Sequence, residues 1–348
     1  MTGTRSLVVA PQWIGDAVMS EPLMRTLADR GEHLSVVALP WVAPVYRAMT
    51  RVDDVIEAPF RHGGLQWRER RDLARTLKGR FDRAYVLPNS LKSALLPWMA
   101  QIPLRIGRVG ESRYGLLNRR LPNPPRGERP PMVDFYLALA EVDGKQNVDQ
   151  TPRLSADLAL AQSVMQSHGL TPRRFGVFAP GAEFGSAKRW PASHYAALAR
   201  QLGQNLVLLG SAKEAEDGQT IENGLIDTEV RCFNLIGRTT LSEAFALISQ
   251  ARWMVSNDSG LMHVAAALGI PQVAVFGSSS PMHTPPINPK ARVLWLKNDP
   301  TYRPALDCAP CFERTCPLGH LRCLNDLIPD RVAQELASLE AQASSAHA

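Results

Sequence analysis

The 348-residue sequence predicts an α/β protein built from two Rossmann-like domains that face a central cleft. Short runs of branched aliphatic residues alternate with helix-length amphipathic segments, and this alternation occurs twice along the chain. Strands that are separated by helical crossovers pair in parallel, which is the doubly wound arrangement. The length agrees with two domains, since one domain commonly takes about 100 to 200 residues.

In the first half, apolar runs of strand length predict four strands, at residues 7–10, 34–39, 52–58 and 82–87. Apolar residues at three- and four-residue spacing predict four helices, at residues 15–30, 65–78, 90–99 and 133–141. Five prolines between Pro122 and Pro131 predict an exposed loop, because proline cannot donate a backbone hydrogen bond.

In the second half, the same patterns predict six strands, at residues 175–179, 206–209, 232–236, 254–256, 272–276 and 293–296. Helices are predicted at residues 192–202, 241–249, 261–268 and, rich in alanine, 331–343. The pattern weakens around residues 144–172, and we place the domain junction there, near residues 155–170. We therefore predict domains at 1–160 and 161–325, followed by a C-terminal helix within 326–348 that packs back across them.

The composition excludes several classes of protein. With 45% hydrophobic and 21% charged residues, the chain can form a core, which a disordered chain cannot. No run of about 18 apolar residues occurs, so no membrane-spanning helix is predicted. The first apolar run is too short for a signal peptide, which predicts a cytoplasmic protein whose five cysteines are reduced.

Positive charge is concentrated in one part of the chain. Residues 61–129 contain 16 basic and 5 acidic side chains, although the whole chain carries a net charge of only +6. Such a segment either faces an anionic partner or is a solvated basic surface. Nucleic acid, phospholipid headgroups and a phosphorylated substrate are all compatible with the charge alone.

Asp16 directly follows the first predicted strand. Gly15 permits a tight strand-to-helix turn, which places Asp16 at the start of a helix and at the mouth of the predicted cleft. Two roles fit this position. The carboxylate is either an N-cap, which stabilises a helix by about 1 kcal/mol, or a general base that accepts a proton.

A second candidate segment, residues 180–190, follows the first predicted strand of the second domain. Gly181 and Gly185 permit close approach of the backbone to a ligand, and Lys188 supplies a positive charge suited to a diphosphate. The segment is not a Walker A loop, because it lacks the Gly-Lys-Ser/Thr ending. An ordinary basic loop is the alternative interpretation.

Two further strand ends carry polar residues. Glu214 suits the hydroxyls of a ribose, or else interacts with the dipole of the helix that it starts. Asp258, Ser259 and Gly260 lie between a strand and a helix, an arrangement that aims free backbone N–H groups at an anion. His263 follows one helical turn later and can share the same face.

Four cysteines lie within sixteen residues near the end of the chain: Cys308, Cys311, Cys316 and Cys323. His320 lies among them. In a reducing compartment such a cluster fits a zinc or iron–sulfur site, or else reduced thiols. The spacing matches no standard metal motif closely.

Eight segments together resemble the ADP-heptose:lipopolysaccharide heptosyltransferases, over about residues 6–297. These segments are Trp13-Ile-Gly-Asp-Ala17, Tyr85-Val-Leu-Pro-Asn-Ser90, Lys92-Ser-Ala-Leu-Leu96, Arg113-Tyr-Gly-Leu-Leu-Asn118, Pro180-Gly-Ala-Glu-Phe-Gly185, Ala187-Lys-Arg-Trp-Pro191, Gly210-Ser-Ala-Lys213 and Asn257-Asp-Ser-Gly-Leu-Met-His-Val-Ala-Ala-Ala-Leu268. The resemblance implies a GT-B fold, with an acceptor-binding N-terminal domain and an ADP-heptose-binding C-terminal domain.

The resemblance also implies an activity. The expected enzyme is an inverting glycosyltransferase that moves heptose from ADP-heptose onto the first heptose of the lipopolysaccharide inner core, with no required metal. Branch II of the family is the nearest match, and branches I and III are alternatives. The implied acceptor is the Kdo-containing lipid A inner core, so the expected location is cytoplasmic and peripheral to the inner membrane.

The family's site residues carry over by position. Asp16 matches the general base, and Lys188 matches the lysine at the donor phosphates. The implied donor-binding residues are Gly181, Lys188, Ser211, Glu214, Thr239, Asp258, Ser259, Gly260 and His263. The implied acceptor-binding residues are Asn89, Lys92 and Arg113. The cysteine cluster is absent from some members, so any metal that it binds is expected to be structural.

Two other classes of function remain as alternatives from the residues. A nucleotide-sugar epimerase or dehydrogenase would use one Rossmann domain, but no Gly-x-Gly-x-x-Gly follows the first strand. A nucleic-acid-binding protein would use residues 61–129, but aromatic residues do not interleave with the charges there. We therefore expect no nucleic-acid partner.

Overall fold

The computed structural model describes residues 3–61, 64–125, 129–140 and 148–345. The chain divides into two compact units, Met1–Ser155 and Ala156–Ala348. Each unit contains a six-stranded parallel sheet with connecting helices. The predicted α/β class with two Rossmann-like units is confirmed.

The sheet of the first unit has the order β3-β2-β1-β4-β5-β6, with every strand parallel to its neighbours. Its strands are Thr4–Val9 (β1), Glu32–Ala38 (β2), Asp54–Glu57 (β3), Arg83–Val86 (β4), Leu104–Arg108 (β5) and Arg119–Leu121 (β6). The order reverses between β1 and β4. In doubly wound sheets, ligands bind beyond the carboxyl ends of the strands at such a point.

The helices of the first unit are Ile14–Met19 (α1), Glu21–Asp29 (α2), Ala43–Arg47 (α3), Trp67–Leu77 (α4), Leu91–Met99 (α5) and Met132–Leu137 (α6). The single helix predicted over 15–30 is wrong. Pro22 has no N–H to continue the ladder, so α1 ends before Ser20 and α2 starts after it. A 3-10 turn, Ala138–Ala140, follows α6, and residue 141 of the predicted helix lies outside the described residues.

The loop predicted between Pro122 and Pro131 has no regular secondary structure at 122–125 and 129–131. Its remaining residues, 126–128, lie outside the described part of the chain. Three elements of this unit were not predicted from the pattern, namely α3, β5 and β6.

The sheet of the second unit repeats the same topology, β12-β11-β10-β7-β8-β9, again wholly parallel. Its strands are Phe175–Ala179 (β7), Asn205–Leu208 (β8), Cys232–Asn234 (β9), Met254–Asn257 (β10), Gln272–Val275 (β11) and Ala291–Leu294 (β12). The switch point lies between β7 and β10. Residues that follow these two strands are therefore neighbours.

The helices of the second unit are Leu158–Ser167 (α7), Ala192–Leu202 (α8), Ala215–Asn223 (α9), Leu241–Gln250 (α10), Gly260–Ala267 (α11), Arg322–Asn325 (α12) and Pro329–Ser345 (α13). Helix α13 is the predicted C-terminal helix. Its apolar side chains Val332, Leu336 and Leu339 join the buried core of this unit, where α13 packs on α8 and β11. Within the described residues, no helix is long and apolar enough to cross a membrane.

Candidate active-site residues of the two units

A cavity of about 550 Å³ opens at the switch point of the first sheet. This volume is in the range of small-ligand sites. Asp16, Asn89 and Lys92 all line it, so the first unit brings together three of the residues that the sequence singled out. Arg61 and Arg70 line the same cavity, which gives it positive charge beside the Asp16 carboxylate.

Asp16 lies in the first turn of α1 and is half-buried. The N-cap of α1 is Trp13, whose side chain makes no capping hydrogen bond. The N-cap role considered for Asp16 is therefore not the one that the geometry supports. Burial raises the pKa of Tyr46 and of Tyr136 above the ordinary range, and the negative charge of Asp16 raises both further. Both phenols therefore stay protonated at neutral pH.

Arg113 departs from the role expected of it. Its side chain is 0% exposed, and its guanidinium donates to the carbonyl oxygens of Pro88 at 2.6 Å and of Arg108. It also donates to Asn89 Oδ1 at 3.4 Å. Burial lowers the pKa of Arg113 to about 10, which still leaves it charged at neutral pH. Arg113 therefore cannot touch an acceptor in this structure, and its contacts hold the segment that carries Asn89.

The second unit places its charged candidates at the switch point between β7 and β10. Lys188 belongs to residues 180–190, which we call the Lys188 loop, and this loop follows β7. The Lys188 ammonium donates to Asp258 Oδ2 at 2.5 Å, and Ser279 Oγ donates to the same oxygen at 2.5 Å. Lysine and aspartate are both largely buried. A cation is thus held in place beside the start of α11.

Helix α11 begins at Gly260, with Ser259 as its N-cap. The side chain of Ser259 makes no capping hydrogen bond, and its buried Oγ has no partner among the described residues. The free N–H groups of a helix start and an unpaired hydroxyl are suited to an anion. With Lys188 at the same sheet edge, the arrangement fits a diphosphate.

His263 lies one turn further along α11 and is buried. Burial lowers the pKa of His263 to about 4, Asp258 opposes this shift and Lys188 adds to it. The imidazole is therefore neutral at neutral pH. It is available as a hydrogen-bonding group in this cluster but not as a second cation.

Residues 70–322 match glycosyltransferase family 9 (heptosyltransferase). The chain belongs to glycosyltransferase family 9. The family predicted from the motifs is thereby confirmed, and with it the class of enzyme, a glycosyltransferase.

Similarity to individual relatives extends over nearly the whole chain. Lipopolysaccharide heptosyltransferase 2 of Escherichia coli strain K12 is 43% identical, over 96% of this chain and 97% of the relative. The solved structure of the E. coli ADP-heptose LPS heptosyltransferase II has a TM-score of 0.84 at 40% identity and covers 98% of this chain and 100% of its own. Lipopolysaccharide heptosyltransferase 1 of Pseudomonas aeruginosa is 26% identical over 96% of this chain and 98% of its own. The predicted GT-B fold is confirmed by the structural match.

In this family 9 glycosyltransferase, Glu214 is tied to its own helix start. Its Oε2 accepts from the backbone N–H of Ser211 at 2.7 Å and from Ser211 Oγ at 2.8 Å, which forms a capping box. Arg189 lies 3.8 Å from Oε1. The helix-start role considered for Glu214 is thus present, and contact with a ribose stays a prediction.

Gly181 and Gly185 serve the packing of the Lys188 loop. A Cβ at Gly181 would lie 2.7 Å from Glu214 Cδ, and one at Gly185 would lie 2.3 Å from the carbonyl oxygen of Arg314. Gly185 also has a φ of +153°, which L side chains rarely adopt. The backbone at these two glycines therefore lies close to other groups of the protein, and this contact accounts for the close approach that the sequence predicted.

Thr239 is half-buried and directly precedes Thr240, the N-cap of α10. Nearby, the N–H of Gly237 donates to the carbonyl oxygen of Gly210 at 2.9 Å. The segment that contains Thr239 therefore lies beside the turn that contains Ser211. A contact between Thr239 and a nucleotide remains a prediction.

The four clustered cysteines of this glycosyltransferase, Cys308, Cys311, Cys316 and Cys323, all line one cavity of about 20 Å³, together with His320. They form no disulfides, and burial first, with the other three cysteines after it, raises the pKa of Cys323 to about 11. No three His, Cys, Asp or Glu side chains are grouped so as to hold a metal ion anywhere in 3–61, 64–125, 129–140 or 148–345. A structural metal therefore stays a prediction.

Sequence reasoning missed several residues at these two sites. Ser279 was not singled out, although it contacts Asp258. The signal that could have found it is a polar residue soon after a buried strand, here β11, which is also the position of Asp258 after β10. Arg61 and Arg70 were counted only as part of a basic segment. Nothing in their immediate sequence separates them from the arginines around them, since only the folding of the segment brings these two to the cavity.

Proposed function

We propose that this family 9 glycosyltransferase transfers heptose from ADP-heptose to the first heptose of the lipopolysaccharide inner core, with inversion at the anomeric carbon. The observation that carries the proposal is the full-length similarity to a relative named heptosyltransferase 2. The relative named heptosyltransferase 1 is more distant, at 26% identity, which favours branch II over branch I.

The second unit is the donor side in this proposal. The diphosphate of ADP-heptose binds at the start of α11, where backbone N–H groups face it and Lys188 neutralises part of its charge. As the bond from the anomeric carbon to phosphate breaks, negative charge grows on the leaving oxygen. Groups that are already in place to stabilise this charge lower the barrier.

The first unit is the acceptor side. The attacking hydroxyl oxygen forms a bond to the anomeric carbon while the bond from that carbon to the phosphate oxygen breaks, and ADP leaves. The hydroxyl proton passes to the carboxylate of Asp16, which acts as general base. Attack opposite the leaving group inverts the configuration.

Positive groups in the same cavity suit the anionic acceptor. Arg61 is exposed, Lys92 is half-buried, and Arg70 is held over the ring of Phe60 at 4.1 Å. Phosphates and Kdo carboxylates are ligands that arginine binds by paired hydrogen bonds. We assign Asn89 and Lys92 to direct acceptor contact and Arg113 to holding the segment that carries Asn89.

We infer that the enzyme works in the cytoplasm, as a peripheral protein at the inner membrane, because this acceptor is anchored by lipid A. Helix α4 offers a surface for that contact. Trp67 is 47% exposed and Leu65 48% exposed, next to the exposed Arg68, Arg71 and Arg75. Interfacial tryptophan and clustered arginine suit an anionic membrane surface.

We propose that the transfer requires no metal and that residues 308–323, which we call the cysteine loop, have a structural role. Its Arg314 carbonyl accepts from Ala187 N–H at 3.0 Å, so this loop supports the Lys188 loop from outside. Replacing Cys311 and Cys316 by Ser should lower the melting temperature more than it lowers turnover per folded molecule. Cys232→Ser, in β9, is the matched control.

Elemental analysis of the purified protein completes that prediction. Zinc or iron at about one site per chain would support a structural metal at the four cysteines. Metal-free protein would leave four free thiols, and the structural metal site would be dropped. Loss of turnover with an unchanged melting temperature would instead place the cysteine loop in catalysis, contrary to this assignment.

The function is tested with purified protein, ADP-heptose and Kdo-containing lipid A that carries either no heptose or one. Mass spectrometry should show a gain of one heptose only on the acceptor that already carries one. A gain only on the heptose-free acceptor would assign the enzyme to branch I, and no gain on either would overturn the proposal.

With the acceptor in phosphatidylglycerol vesicles, transfer should be faster than in phosphatidylcholine vesicles, because α4 is basic.

A further inference from the structure

Asn257, the last residue of β10, makes three hydrogen bonds with its side chain although it is 0% exposed. Its Oδ1 accepts from the backbone N–H of Trp190 at 3.0 Å and from the hydroxyl of Tyr195 at 3.2 Å. Its Nδ2 donates to the carbonyl oxygen of Pro180 at 2.6 Å. A buried amide that is satisfied in this way specifies one arrangement of its partners.

Pro180 and Trp190 are the first and last residues of the Lys188 loop. One side chain therefore joins both ends of this loop, through an acceptor at one end and a donor at the other. An aliphatic residue can make neither contact, and a carboxylate can accept but not donate. The chemistry of an amide is what the position requires.

The residue after Asn257 acts on the middle of the same loop. Asp258 accepts from the Lys188 ammonium, so two consecutive side chains at the end of β10 hold the ends of the loop and its cation. The loop is also held by backbone contacts, from Ala187 to Arg314 and from Ser278 to Ala187, and by side-chain contacts of Arg189 with Asp217 and of Trp190 Nε1 with the Leu327 carbonyl. A change of the Asn257 side chain keeps all of these groups, and it also keeps Lys188 and Asp258.

We propose that Asn257 is a positioning residue for donor binding. It does not contact the substrate, because it is fully buried, and it acts by keeping the Lys188 loop closed so that the ammonium stays at the start of α11. The proposal rests on the assignment of this site to the ADP-heptose diphosphate. Loss of the amide should weaken the affinity for ADP and raise KM for ADP-heptose more than it lowers kcat.

The test compares Asn257→Asp with Asn257→Leu by calorimetric titration with ADP. At about pH 8 the carboxylate accepts from Trp190 but repels the Pro180 carbonyl, and we expect a Kd roughly ten times that of the wild type. Burial raises the pKa of a carboxyl group, so at about pH 5.5 the protonated acid can donate to Pro180 as the amide does. The ratio of variant to wild-type Kd should then fall towards one. Asn257→Leu should stay weak at both pH values.

Asn288→Asp is the matched control, because its amide also donates to a backbone carbonyl in this unit, that of Ala266 near the other end of α11. Its Kd ratio should stay near one at both pH values. If the Asn257 variants do not fold, Tyr195→Phe removes one of the three bonds and should raise the Kd by a smaller factor. Folding is checked by thermal melting at each pH.

Three results would overturn the proposal, and they are distinguishable. If the folded Asn257 variants bind ADP with wild-type affinity at both pH values, the positioning role alone is rejected. The same result for folded Tyr195→Phe rejects it where the Asn257 variants do not fold. An equal loss in Asn257→Asp at both pH values would also reject it, because a restored donor would then have no effect. A wild-type protein without affinity for ADP would overturn the proposed function, and this inference with it.

Discussion

Asp16→Asn should reduce heptose transfer by about two to four orders of magnitude while ADP binding stays near that of the wild type. General base catalysis contributes about 10²- to 10⁴-fold, and an amide cannot accept the proton that the attacking hydroxyl releases. The residues that we assign to ADP all lie in the second unit, so they keep their contacts. Turnover with saturating donor and a titration with ADP measure the two quantities separately.

Asp54→Asn is the matched control, because it removes an exposed carboxylate in β3 of the same unit. It should leave the turnover unchanged. Thermal melting checks the fold of Asp16→Asn, because the loss of a negative charge in the first turn of α1 costs at most about 1 kcal/mol. Near wild-type turnover in Asp16→Asn would show that Asp16 is only a carboxylate at a helix start and not the general base.

Lys188→Ala should weaken ADP binding by roughly ten- to a hundredfold and should lower kcat as well. A hydrogen bond to a charged group contributes about 1.5 to 3 kcal/mol, which is roughly one to two orders of magnitude in affinity. The ammonium acts on the bound donor and on the leaving group together. The variant also leaves the buried Asp258 carboxylate with Ser279 as its remaining side-chain partner, so negative charge would face the diphosphate.

Lys290→Ala removes an exposed lysine in the turn before β12 and is the control for the change in net charge. Calorimetry gives the Kd for ADP, and steady-state kinetics with ADP-heptose gives kcat. An unchanged Kd together with an unchanged rate in Lys188→Ala would show that the lysine is only a loop charge. A fall in affinity without a fall in kcat would restrict it to ground-state binding.

The alternation of strands and helices could be predicted from the sequence because it depends on local spacing. The predicted bounds of two elements are those of the structure. The strand Phe175–Ala179 is a continuous apolar run, and the helix Ala192–Leu202 has an uninterrupted amphipathic pattern. The family could also be predicted, because its motifs follow strand ends and are contiguous. Asp16 and Lys188 were singled out for the same reason.

Strands β5 and β6 could not be predicted in this way. Arg105 and Arg108 interrupt the apolar pattern of β5, and a charged side chain in a strand usually signals solvent. In the fold, Arg105 donates to the Leu116 carbonyl at 2.7 Å and Arg108 to the Pro122 carbonyl at 2.6 Å. Several of their donors are satisfied by backbone groups that only folding brings close, which lowers the penalty for burying these side chains.

The sequence by itself determined the fold class, the family and the strand ends at which Asp16, Lys188 and Asp258 lie. Only the tertiary structure decided that Arg113 is buried and that Asn257 closes the Lys188 loop. The Asn257 side chain meets Pro180 across 77 positions of the chain, and Asp258 meets Ser279 across 21. Periodicity and motifs report local geometry, whereas the partner of a buried polar group is set by which strands become neighbours in the sheet.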